Sequence, residues 1–241
     1  MKSTEKIIGK IIGIFAIVLI FASITFNSLA QETTERNVGS FESIDVSGAM
    51  DVFLTEGTTE NVKIEAKGIE LDKILTEVKD QTLKISMKNQ SGNWSWGKNV
   101  EIKVYVTYRK LNAISNRGSS DIIGNSVVKN ETMDISLSGS GDIKMALDVK
   151  SLSVSVSGSS DIRVEGTATK QEIRISGSGN FDGKNLEGKE VKVQVSGSGD
   201  ATVWATEMID AKVSGSGDVS YKGNPSKEIS KVSGSGTIRK S

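Results

Sequence analysis

One short motif recurs along most of this chain and limits what it can fold into. Its fullest form is Leu137-Ser138-Gly139-Ser140-Gly141-Asp142-Ile143, and close copies run from Asn116 to Ile238. The first glycine of each copy falls at Gly118, Gly139, Gly158, Gly177, Gly197, Gly215 and Gly234, so the spacing stays between 18 and 21 residues. An earlier copy, Val46-Ser47-Gly48-Ala49-Met50-Asp51-Val52, adds Gly48 to the series. Gly-Ser richness alone would suit a flexible linker. A linker, however, has no reason to hold apolar residues at fixed offsets from its glycines. Two positions before the first Gly stand Val46, Leu137, Val156, Ile175, Val195, Val213 and Val232, with Asn116 out of line. Four positions after it stand Val52, Ile122, Ile143, Ile162, Phe181, Ala201, Val219 and Ile238.

Between the glycines the pattern alternates, as in Val191-Lys192-Val193-Gln194-Val195. Period two with β-branched residues reads as strand with one face buried. A coil of about 19 residues cannot bury that face alone, but stacked coils form a continuous core. The expected fold is therefore all-β, a parallel β-helix or β-solenoid, with equivalent strands about 4.8 Å apart. Stacked corners need close backbone approach, so the first Gly is expected to carry the backbone constraint and the second mainly to be small. Residues 111–241 hold the regular repeats, and 41–110 form an atypical N-terminal part suited to capping the stack. Within it, Val62–Ala66, Leu83–Met87 and Val100–Tyr108 read as strands. Leu71, Ile74, Leu75 and Val78 have helical spacing, so a short helix or irregular turn is expected over Gly68–Lys79. No cap sequence is evident after the last copy, which leaves the C-terminal edge as a surface for a homo-oligomer or a partner.

Residues 1–30 read as an address. Lys2, Lys6 and Lys10 precede an uncharged run, Ile11–Phe26, and Ser28-Leu29-Ala30 supplies a small-x-small cleavage site. The run is shorter than the roughly 20 apolar residues of a spanning helix, so no stable membrane span is expected after cleavage. Residues 31–40 would then be a short linker before a single domain at 41–241. The chain has 30 Lys+Arg, 30 Asp+Glu, no His and no Cys. Balanced charge gives no basic surface for nucleic acid. Missing thiols and imidazoles exclude disulfides, His- or Cys-ligated zinc and Ser-His or Cys nucleophilic centres.

Chemistry-bearing candidates are few. Asp51, Asp121, Asp142, Asp161, Asp200 and Asp218 share one column, with Asn180 and Thr237 substituting. Stacked carboxylates could hold calcium, but Asp, Asn and Thr at corners ordinarily bond the local backbone, and that reading is preferred. No cofactor and no metal is expected. Trp94 and Trp96 flank Ser95 in Asn89–Asn99, which reads as a long hairpin tip. Exposed there, they would form a partner-binding surface for a glycan or a protein; folded back, they would be ordinary packing. Trp204 reads as a face residue covering the solenoid. Solenoid enzymes acting on polysaccharides place their sites among long loops, and the even spacing leaves little room for such loops, so the chain is read as non-enzymatic.

The opening Phe41-Glu42-Ser43-Ile44-Asp45-Val46-Ser47-Gly48, the signal-like start and the serial Ser-Gly-Ser-Gly-Asp copies resemble the head GIN domain of putative auto-transporter adhesins, a family of Bacteroidetes-type bacteria. The resemblance spans about residues 38–238. It implies a β-helical head in the cell envelope, exported through the inner membrane, and it brings no catalytic residues. Auto-transporters also carry a C-terminal export barrel, and none follows the repeats here. The periplasm, the outer-membrane surface and the extracellular space all stay open. The expected role is an adhesin-like head, with a periplasmic scaffold as first alternative and a polysaccharide-active enzyme as second.

Overall fold

The computed structural model describes residues 31–88 and 100–241. Eight short strands come first: β1 (Glu32–Asn37), β2 (Ser43–Gly48), β3 (Asp51–Glu56), β4 (Asn61–Lys67), β5 (Ile74–Lys79), β6 (Thr82–Met87), β7 (Glu101–Tyr108) and β8 (Ala113–Gly118). Five long ones follow: β9 (Asp121–Gly139), β10 (Ile143–Gly158), β11 (Asp161–Gly177), β12 (Asn180–Gly197) and β13 (Ala201–Gly215). The described chain closes with β14 (Val219–Lys222), β15 (Lys227–Gly234) and β16 (Ile238–Lys240). Each long strand is nearly a whole coil. It runs through a first arm, bends, and returns along a second arm to a glycine corner. In the last coil the two arms separate, β14 lying on the first arm of β13 and β15 on its second.

The solenoid is as the repeat demands, with about seven turns stacked at about 19-residue intervals. Parallel pairing holds the corners in register, Gly139 on Gly158, Gly158 on Gly177, Gly177 on Gly197 and Gly197 on Gly215. Alternate side chains enter the stack. The column Ile122, Ile143, Ile162, Phe181, Ala201 and Val219 is at most 1% exposed throughout. Fully burying one such side chain is worth about 1.5–3 kcal/mol, and the columns make one continuous core. Phe181 fits because its neighbours are small. It stands in register with Ala201, and a β carbon at Gly183 would lie 2.5 Å from its Cε1.

The N-terminal part builds one more coil and a cap. β6 pairs in parallel with β2, and β7 with β3, so the coil that comes later in the chain is stacked outside the earlier one. On the other side β2 meets β8, and β3 meets β9. Three antiparallel strands then close the end: β5 on β6, β4 on β7 and β1 on β4. The segment expected as a linker thus contains β1, whose Arg36 ties the two arms of the cap together. Its guanidinium donates to the Ile74 carbonyl at 2.7 Å, to Thr76 Oγ1 at 3.1 Å and to the Leu71 carbonyl at 2.8 Å.

The short helix or irregular turn expected over Gly68–Lys79 is a single 3-10 turn, Leu71–Lys73, followed by β5. Ile74 is fully buried while Leu75 is 42% exposed. Leu75 therefore does not belong to a buried stripe, and without it the spacing is that of a strand. Asp80 and Gln81, with φ of 50° and 57°, make the two-residue turn from β5 to β6, the conformation that right-twisted hairpins favour.

At the far end the core changes character. The inward positions Ile209 and Ala211 of β13 are followed in register by Glu228 and Ser230 of β15. Glu228 accepts a hydrogen bond from the Tyr221 hydroxyl at 3.0 Å. Inward polar residues on an edge strand oppose further stacking, a safeguard that the repeat motif does not reveal.

Candidate functional site

At the first glycine of each corner the backbone geometry excludes a side chain. Gly197 has φ +133°, and a β carbon there would lie 2.3 Å from the carbonyl oxygen of Gly177. The second glycine is more constrained than its smallness alone implies. At Gly199 a β carbon would approach the Gly179 oxygen to 2.0 Å and Ile175 Cγ2 to 2.9 Å. Ser120 and Ser160 occupy the same column and are buried. Ser120 Oγ accepts the Met50 N–H at 3.2 Å. Next to it Asn116, the residue out of line in its column, is buried and donates to the Ser120 carbonyl at 2.6 Å. Its Oδ1 has no partner among the described residues.

The aspartate column bonds backbone, as expected, but the backbone of the following coil. Oδ1 of Asp121, Asp142 and Asp161 accepts the N–H of Asp142, Asp161 and Asn180 at 3.0, 3.0 and 3.2 Å. Asn180, Asp200 and Asp218 continue the ladder to Asp200, Asp218 and Thr237 at 2.9, 2.8 and 2.8 Å. This explains why Asn can replace Asp, since either supplies the acceptor. Among the described residues no group of three or more acidic side chains converges as a metal site would require.

Thr237 holds the Asp218 carboxyl below its ordinary value, first through its hydroxyl and then through its N–H. A lowered folded-state value means that the charged carboxylate stabilises the fold above the unfolded value, and the gain is lost as pH falls through the folded value. Asp51 has the opposite sign: burial, then repulsion from Asp121, raises it, so protonation in acid relieves a cost. Asp218→Asn keeps an acceptor at every pH. Its acid unfolding, followed by circular dichroism below pH 4, is expected to be less steep than that of the unaltered protein; an unchanged profile would show that this rung carries no charge-dependent stability.

Trp94 and Trp96 lie outside the described residues. The strands beside them are placed, however. Residues 88–100 link β6 to β7, the same two arms that Ala49 and Met50 link in the next coil. The longest insertion in the regular stack therefore occurs where other coils have their tight corner. Trp204 is half-buried on the outer face of the first arm, with Lys222 Nζ 4.0 Å from its ring centre. It is a covering residue, as expected.

The same outer face carries a groove that the motif reading missed. It crosses the first arms of β9 to β12, has a volume of about 430 Å³, and continues into a second hollow of about 200 Å³. One wall is Asp121, Asp142 and Asp161; two residues further on, Ile123, Lys144, Arg163 and Asp182 form another column. Arg163 Nε lies 3.2 Å from Asp182 Oδ2. Two of the pairings shift register just past this column, β10 with β9 between Lys144 and Ala146 and β11 with β12 between Arg163 and Glu165, while β10 and β11 stay in step. Aligning the copies on the outward positions would have displayed the column, but not the bulges that hollow it.

The head GIN domain of putative auto-transporter adhesins matches residues 40–225. The chain belongs to this family. Solved GIN-like structures share its course. A putative adhesin from Bacteroides fragilis is 29% identical with a TM-score of 0.81, covering 89% of this chain and 98% of its own. A putative adhesin from Parabacteroides distasonis is 21% identical with a TM-score of 0.73, covering 89% and 98%. A putative lipid binding protein from the same species is 24% identical with a TM-score of 0.71, covering 88% and 96%. The latter two show the fold. No curated protein matches the chain. The GIN family is one of adhesin-like envelope proteins, and among the described residues no helix is long and apolar enough to cross a membrane.

Proposed function

We propose that this GIN-domain protein is an exported, non-enzymatic binding head of the bacterial envelope, presenting a rigid solenoid to a glycan or protein surface. The observation that carries this reading is the coil formed by β6 and β7. Where the other coils turn through a short glycine corner, it inserts residues 88–100, with Trp94 and Trp96. Paired tryptophans on such an insertion suit a partner contact. The secretory pattern of residues 1–30, ending at Ala30, supports export. The likeness to the Bacteroides fragilis putative adhesin supports the adhesin-like role. The carboxylates of the aspartate column are engaged in the corner ladder, which supports a structural rather than a catalytic use of them.

A tag near Ser241, labelled on intact cells with a lysed control, tests the placement. Labelling of intact cells is the expected result; labelling only after lysis would locate the protein inside the envelope and remove adhesion as its role. For the tip, Trp94→Ala with Trp96→Ala is expected to weaken binding to a ligand identified on a glycan or protein array by at least about tenfold, or about 1.4 kcal/mol. Unchanged binding would rule the tip out.

The C-terminal edge favours a second reading, a periplasmic scaffold acting through self-association. Among the described residues β15 pairs only with β13, and Ile229 and Val232 are 41% and 43% exposed. Glu228 and Ser230 limit that contact to strand pairing rather than extension of the core. Sedimentation of the mature protein at high concentration decides it, since a strict monomer ends this reading.

A further inference from the structure

We propose that the outer groove across β9, β10, β11 and β12 is a second binding site, for a linear neutral polysaccharide lying along the stack. The inference rests on the glycan reading above but assigns a different surface, remote in the chain from Trp94 and Trp96.

The groove is built rather than left over. Its depth comes from register shifts of β9 against β10 and of β12 against β11, and its floor from small residues. A β carbon at Gly124 would lie 2.8 Å from Met145 Cβ, and Ala146 lines the hollow. Two columns about 7 Å apart stand side by side along it, since side chains two residues apart on a strand share a face. Asp121, Asp142 and Asp161 form the accepting column. Each uses Oδ1 for the corner ladder, and its Oδ2 makes no hydrogen bond among the described residues. In the second column Lys144 and Arg163 are the donors, between Ile123 and Asp182. Lys144 has no ion pair among the described residues. Arg163 engages Asp182 through Nε, its terminal nitrogens making no hydrogen bond among those residues.

A hydroxyl both accepts and donates. A sugar ring presenting hydroxyls on both sides satisfies such a pair of columns at once. The acceptors are already fixed by the ladder, so little ordering cost remains on binding. The accepting column recurs at about 4.8 Å through Asp121, Asp142 and Asp161, with Lys144 and Arg163 beside the last two, which favours a ligand that also repeats. Charge selects among polymers. Carboxylates of Asp121, Asp142, Asp161 and Asp182 outnumber Lys144 and Arg163 along the main groove, which disfavours uronate chains. The floor strands are already paired on both sides, so an extended peptide finds no free edge to augment.

The test is titration of the mature protein with neutral hexasaccharides of glucose, mannose and xylose, read by calorimetry and by amide chemical shifts. At least one is expected to bind with a millimolar or tighter Kd and to shift the amides around Lys144 and Arg163. Lys144→Glu and Arg163→Ala, both outward and exposed, are expected to weaken it at least tenfold with an unchanged unfolding midpoint. The Trp94→Ala, Trp96→Ala variant is expected to bind these sugars as before. A hexauronate is expected to bind at least tenfold more weakly than the best neutral sugar. No binding by any neutral sugar overturns the groove and leaves the tip reading standing. So does binding that survives Lys144→Glu but disappears in the tryptophan variant.

Discussion

Gly197→Ala is expected to destabilise the fold by at least about 3 kcal/mol, read from the denaturant midpoint at unchanged slope. Two independent costs combine at this position. A φ of +133° is strained for any residue with a β carbon, and that carbon would sit 2.3 Å from the Gly177 oxygen. Backbone lies on both sides in the stack, Gly177 below and Gly215 above, so neither neighbour can yield without breaking register with the next coil. The control is Ser178→Ala at the adjacent exposed corner position, expected to stay within about 0.5 kcal/mol. Gly234→Ala supplies a sharper comparison. Its φ is +127°, and its β carbon would be 2.2 Å from the Gly215 oxygen. Yet β15 is exposed along its length, so the last coil can fray and limit the loss. Equal losses at the two positions would mean that the strain is local and the stack transmits nothing.

Phe181→Ala is expected to cost about 3–5 kcal/mol. Phe181 is among the largest fully buried side chains, and the space around it is defined by Ala201 and Gly183. Those neighbours cannot move inward to fill the void because their strands are pinned in register by adjoining coils. The double variant Phe181→Ala, Ala201→Phe tests the pairing directly. Recovery of part of the loss would show that the column conserves volume across coils; no recovery would show that the surroundings of Phe181 are shaped for that coil alone.

The regular coils were legible because each structural position is written many times. Seven examples of Val, Ile or Leu at one offset and eight apolar residues at another leave no doubt about an inward column, and repeated glycine marks the corner. What is written once was harder to read. Leu75 completed a helical spacing, although it points outward from β5. The stacking of β6 and β7 outside β2 and β3 depends on contacts between distant segments, with no corner motif to announce it. Glu228 and Ser230 break the inward column at the far end, and only register shows that they face the core. Among candidate site residues, the aspartates were correctly read as backbone-bonding. That the bonded backbone belongs to the following coil could not be seen without the stack. Ile123, Lys144, Arg163 and Asp182 went unread because the outward column is chemically mixed, so repetition carries no signal there.

The inverted threading of the N-terminal coil has a kinetic consequence. Ser43 must meet Thr82 on one side and Ala113 on the other, and Asp51 must meet both Lys103 and Asp121. A chain emerging from its N-terminus therefore holds β2 and β3 with no parallel partner until much of the sequence has followed. From Gly139 onward, each new coil can zip onto the one before it at short sequence separation, which is the fast regime of folding. Closure of the first three coils is thus the slow step, and it keeps the leading segment extended while later residues are still being delivered. Under the export proposed above, that delay would act as a timer for passage before folding.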